Sequence, residues 1–153
     1  MFRNHPLLTA LAVGYLAVVG WLTLGPQPIE LVKAGGVFRL LALFQRHTAT
    51  AWITYPAVEF AANVAMFVPI GVLLLLLVGR RRWWAAVLFG VLLSAAIEVA
   101  QLFVPGRVTD VRDLVSNSIG AFVGVVAALV ITWPAAARRR RESHPRTGGI
   151  RVA

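Results

Sequence analysis

The sequence predicts an all-α, integral membrane four-helix bundle, with both termini cytoplasmic and a polar pocket at the extracytoplasmic side. Three observations lead there. Of 153 residues, 59% are hydrophobic and only 14% charged, with a mean hydropathy of +0.78; an average soluble domain is ~45–50% apolar and ~25% charged. Four apolar segments are each close to the ~20 residues that cross a ~30 Å hydrocarbon core. The basic residues, finally, are sorted unevenly between the connections. So apolar a chain is neither an ordinary soluble domain nor a disordered one. With no cysteine, disulfides, thiolate metal sites and thiol nucleophiles are excluded.

The first segment, Leu7 to Leu24, carries no charge. Its run is longer than a leader's usual core and no A-x-A-like site follows, so it reads as a retained anchor ended by Gly25-Pro26-Gln27-Pro28. The connection that follows is long, Gly25 to Glu59. Within it Val37 to Phe44, VFRLLALF, reads either as a short helix in the membrane interface or as a loop packed on the bundle rim. The second segment, Phe60 to Val78, has Asn63 as its one strongly polar member, and Pro69 and Gly71 are expected to kink or loosen it. Gly79 and three arginines then force a tight antiparallel hairpin into the third segment, Trp83 to Val104, which carries Glu98 and Gln101. A short loop from Pro105 to Asp113 leads to the fourth, Leu114 to Trp133, with Asn117 inside it. Ser116, Gly120 and Gly124 make a stripe of small residues that permits close backbone approach. Helices are expected throughout, because lipid offers backbone groups no partner and the alternation of a barrel strand is missing. Residues 1–134 form a single transmembrane domain on this reading. Trp133-Pro134 ends the last helix, and 135–153 is a basic, disordered cytoplasmic tail.

An even number of spans puts both termini on one side. That side collects Arg3, Arg80, Arg81, Arg82, Arg138 to Arg141, Arg146 and Arg151. The other holds Lys33, Arg39, Arg46, Arg107 and Arg112 together with almost all the acids. The positive-inside rule assigns the first group to the cytoplasm. The net charge of +9 is therefore a topology signal, with the arginine tail gripping anionic lipid, and no nucleic-acid partner is expected.

Polar side chains within a membrane are costly and so informative. Ser94, Glu98 and Gln101 fall at i, i+4, i+7 on one helix face; Asp110, Asp113 and Asn117 fall at i, i+3, i+7 at the start of the fourth helix. Asp113 is the expected N-cap, and Arg107 the expected partner of a neighbouring acid. With Asn63, these groups lie toward one end of their segments, in one layer of the outer leaflet. The ligand-binding set is thus Asn63, Glu98, Gln101, Arg107, Asp110, Asp113 and Asn117. Asn117 and Ser94 could equally serve only to hold helices together; Glu98 carries a charge that such a role does not require. The structural set is Pro69, Gly71, Pro105, Gly106, Gly120 and Gly124. His5, His47 and His144 have no ligand spacing, so no metal is expected, and no cofactor motif occurs.

Two stretches resemble the VanZ-like family of bacterial membrane proteins. One is Asn63-x3-Phe67-x-Pro69-x-Gly71. The other runs Glu98-x2-Gln101-Leu102-Phe103-x-Pro105-Gly106-Arg107-x2-Asp110-x2-Asp113-x3-Asn117-x2-Gly120 and on to Gly124. The resemblance covers about Glu59 to Val130. It implies a multi-pass protein of the bacterial plasma membrane and a link to susceptibility to teicoplanin-type glycopeptide antibiotics; it names no biochemical mechanism. Two function classes follow. The first is a non-enzymatic protein whose pocket binds an envelope ligand, either a cell-wall precursor lipid or a glycopeptide. The alternative is a membrane-embedded enzyme in which Glu98, Asp110 and Asp113 do acid–base work on a lipid-linked substrate; the lack of any nucleophile–base pair leans against it. Transport is the weakest reading, since polarity does not continue across the bundle.

Overall fold

A computed structural model describes residues 6–25, 46–47, 50, 53–105 and 110–142, with side chains described as far as Trp133. Among these residues there are four α-helices and no strand: α1 Pro6–Leu24, α2 Tyr55–Val78, α3 Trp83–Gln101 and α4 Val111–Glu142. All four are long and apolar enough to cross a membrane. The Val37–Phe44 segment, Gly106 and Arg107, His5, His144 and residues 143–153 lie outside the described set.

The helix ends differ from the sequence expectation, each for a local reason. α2 begins at Tyr55, five residues ahead of the expected Phe60: Thr54 is extended, Pro56 sits in the first turn, where its missing N–H costs nothing, and the Glu59 charge only hid the continuation. α3 stops at Gln101 instead of Val104. The amides of Leu102, Phe103 and Val104 reach back only three residues, a tightening turn, and Pro105 disfavours helix at Val104. α4 starts at Val111 because Asp110 caps it: the Asp110 carboxylate accepts the Arg112 backbone N–H at 2.8 Å. The cap is therefore Asp110 and not Asp113, which lies within the first turn. At its other end α4 passes through Pro134 and continues to Glu142, where the sequence suggested a stop. Proline forfeits its own bond to the preceding turn, while the alanines and arginines that follow are strong helix formers.

Gly79 closes α2 with φ 84°, a backbone region nearly reserved for glycine, and its N–H reaches Leu75 O at 2.8 Å. Arg80–Arg82 then make one 3₁₀ turn into Trp83, completing the expected hairpin. Arg80 fastens this turn to α4. Its guanidinium donates to the Leu129 carbonyl at 2.6 Å and to the Thr132 hydroxyl, and lies 5.7 Å from the Trp133 ring centroid.

The most extensive interface is between α2 and α4. Its seam is made by glycines: a Cβ on Gly71 would strike the Ala121 carbonyl, one on Gly120 the Val64 carbonyl, and one on Gly124 the Val68 carbonyl. Gly71 is thus a packing contact more than a hinge, and Pro69 sits inside a helix that runs on past it. α3 joins through Gly90, which faces Ala121, and Phe67, Ile70, Leu75, Ala86, Ala121 and Val125 make the buried core. α1 is attached more lightly, by Val19 and by the Tyr15 hydroxyl donating to Met66 O at 2.9 Å. Its outer face is bare: Leu7 is 83% and Trp21 73% exposed. Apolar exposure of this kind, repeated along α3 and α4, far exceeds what water tolerates and suits hydrocarbon. This is a multi-pass membrane protein.

Candidate functional site

The helices alternate in direction, so one end of the bundle gathers the end of α1, the start of α2, the end of α3 and the start of α4. A cavity of about 140 Å³ opens there, and every helix contributes to its wall: Leu22 and Thr23 from α1, Glu59, Asn63 and Met66 from α2, Ile97, Glu98 and Gln101 from α3, Asp113 and Asn117 from α4. The arginine turn and both ends of the described chain lie at the opposite end of the bundle.

Three amides build the frame. Asn63 Nδ2 donates to Asp113 Oδ1 at 2.7 Å, joining α2 to α4. Gln101 Nε2 donates to Thr23 O at 3.1 Å, joining α3 to α1. Asn117 Nδ2 donates to Ser94 Oγ at 3.1 Å, joining α4 to α3. These bonds fix relative heights. Asn63 is eight residues into α2 yet level with Asp113, two residues into α4, so α2 overshoots its neighbour. Glu59 stands one turn above that level and Asn117 one turn below it, giving the site a depth of about 11 Å from two helical turns. With Glu59 added, the wall residues spread over more than the single layer expected from sequence.

Charge is concentrated near its mouth. Asp113 lies within electrostatic range of both Glu59 and Glu98, and the Asp110 backbone amide interacts with the Glu98 carboxylate. Arg112 stands at the rim near Glu59, its guanidinium donating to Pro56 O at 3.4 Å. At the floor Asn117 is only 3% exposed, and its Oδ1 has no hydrogen-bond partner among the described residues. A buried polar atom left so costs ~1–3 kcal/mol, and Asn117 is among the residues that line the cavity.

Five of the seven sequence-predicted ligand residues, Asn63, Glu98, Gln101, Asp113 and Asn117, come together here. Asp110 does not line the cavity: it caps α4. Arg107 lies outside the described residues. Sequence reasoning missed Glu59 and Thr23 as wall residues. Glu59 falls one helical turn before Asn63 and could have been found by that spacing, had the helix not been started after it. Nothing in the sequence ties Thr23 to the site, because its carbonyl, not its side chain, makes the contact; its hydroxyl donates back to Val19 O at 2.8 Å. Among the described residues no group of three or more His, Asp or Glu side chains is close enough to hold a metal ion.

A family model described as VanZ/LLP1 matches residues 12–132, which include every residue of the cavity wall. No curated protein and no solved structure gives a significant match.

Proposed function

The chain belongs to the VanZ-like family, and from that premise we propose that it is a non-enzymatic protein of the bacterial plasma membrane whose polar cavity binds the headgroup of an envelope ligand, a cell-wall precursor lipid or a glycopeptide antibiotic. One observation carries the reading: all four helices of an otherwise apolar bundle spend polar side chains on a single cavity at one end. Helix adhesion accounts poorly for them, since one interhelical hydrogen bond returns only ~0.6 kcal/mol on average, little for the cost of placing carboxylates in a membrane, and an intramembrane carboxylate is a functional flag by default. The arginine distribution supports an outward-facing cavity, with the arginines at the end of α4 against the anionic inner leaflet. In this role Glu98 accepts hydrogen bonds from the ligand, while Asn63 holds Asp113 in place to do the same.

The test is glycopeptide susceptibility in a sensitive Gram-positive host. Strains carrying empty vector, the intact protein, Glu98→Gln and Asp113→Asn are compared at matched membrane levels for teicoplanin inhibition and surface binding of the labelled drug. The intact protein alone should raise the inhibitory concentration. Identical behaviour of all four strains would remove the resistance role and leave binding of an envelope lipid to be measured directly.

A further inference from the structure

The turn between α2 and α3 carries three guanidinium groups, and the fold uses one of them. Gly79, at φ 84°, and the Arg82 amide, which donates to the Gly79 carbonyl at 3.0 Å, fix its backbone. Successive side chains leave a 3₁₀ turn about 120° apart, because three residues complete it. Arg80 faces α4 and is tied to Leu129, Thr132 and Trp133, so Arg81 and Arg82 are directed away from that contact. Both are exposed, and neither makes a hydrogen bond or an ion pair among the described residues. The described carboxylates are remote: Glu59, Glu98 and Asp113 line the cavity at the opposite end of the bundle, and Asp110 caps α4 at that same end.

Three tryptophans set the height of this turn. Trp83 and Trp84 open α3, and Trp133 lies where Arg80 meets α4; they are 46%, 58% and 68% exposed. Exposed indoles collect at the headgroup level of a bilayer, and these stand at the ends of two membrane-spanning stretches. Arg81 and Arg82, one turn before them, are therefore held at the depth of lipid phosphates. A guanidinium matches phosphate oxygens in geometry as well as charge. A headgroup with its own ammonium offers that phosphate already partly neutralised. We infer that Arg81 and Arg82 each dock the phosphate of an anionic bilayer phospholipid, one whose headgroup carries no ammonium. This contact is separate from the arginines that end α4, and it stands whether or not the cavity at the other end binds a ligand.

The full chain, purified in mild detergent, is incubated with equal amounts of phosphatidylglycerol, phosphatidylethanolamine and phosphatidylcholine, and retained lipid is weighed by native mass spectrometry. The glycerol lipid should dominate. To read the turn alone, Arg138, Arg139, Arg140 and Arg141 are first all changed to Gln, and the preference should persist. In that background Arg81→Gln and Arg82→Gln should each lower retention of the glycerol lipid about fivefold, and together about twenty-fivefold, the ratio for arginines facing an anionic surface. The fold should survive, since neither side chain has a partner to lose among the described residues. Arg81→Lys with Arg82→Lys keeps the charge and should hold most of the retention. Equal retention of the three lipids by wild type overturns the inference, as does loss of the preference once the arginines at the end of α4 are neutral. Retention unchanged by the paired Gln substitutions overturns it too, and so does a loss as large with Lys as with Gln. Thermal stabilisation by inorganic phosphate equal to that by the glycerol lipid overturns the lipid as the source of the phosphate.

Discussion

Arg80 shows how much one side chain can hold. Among the described residues it pairs with no acid; it satisfies the Leu129 carbonyl and the Thr132 hydroxyl on another helix and covers the Trp133 ring. Only a flat, forked cation does all three at once. Arg80→Ala should therefore destabilise the bundle by about 1–3 kcal/mol, in the range of hydrogen bonds to a charged group, with Arg80→Lys recovering part of it; unfolding in detergent with denaturant titration measures both. Asn63 is the counterpart at the opposite end. Asn63→Leu removes the 2.7 Å bond to Asp113 and should cost ~0.6–1.7 kcal/mol on the scale found for interhelical polar contacts. If the loss were near zero, Asn63 would serve the cavity and not the fold. Neither partnership is visible in the sequence: the partners lie 49 to 52 residues away, and periodicity reports faces within a helix, not which faces meet.

Among the helices, the α2–α4 seam sets the geometry. Gly71, Gly120 and Gly124 each stand where a side chain would press on a backbone carbonyl, and backbone cannot swing aside as a rotamer can. Gly124→Leu should cost more than the ~1–3 kcal/mol of ordinary overpacking, whereas Gly14→Ala, with open space around its Cβ position, should be nearly silent; thermal unfolding followed by intrinsic tryptophan fluorescence separates the two. The seam was legible as a stripe of small residues, and four spans were legible from apolar length. Helix ends were not, because hydropathy marks where charge begins, not where hydrogen bonding stops. Glu59 was lost from the site that way, and Asp110 was given to the ligand when its carboxylate was already engaged by the Arg112 amide. Asn63, Glu98, Gln101, Asp113 and Asn117, which line the cavity, were legible because a costly polar atom in lipid stands out wherever the helix ends fall.

Taken as a whole, the molecule presents apolar side chains outward and keeps its polarity at the two ends of the bundle, carboxylates at one and arginines at the other. The proposed orientation is testable because the chain has no cysteine of its own. Glu59→Cys should react with a membrane-impermeant maleimide in intact cells, and Arg81→Cys only after permeabilisation. The reverse pattern would invert the orientation and place the cavity in the cytoplasm.

The seam between α2 and α4 also governs how such a chain can be made. The groove that Gly71 opens in α2, and the amide of Asn63 above it, are answered by residues of α4, the last of the four described helices to be synthesised. Until Asp113 to Gly124 have been synthesised, the earlier helices can pack on one another but leave that amide without its α4 partner and that groove unfilled. A nascent chain halted before α4 would therefore leave that groove open to the membrane, and one that has made α4 closes it.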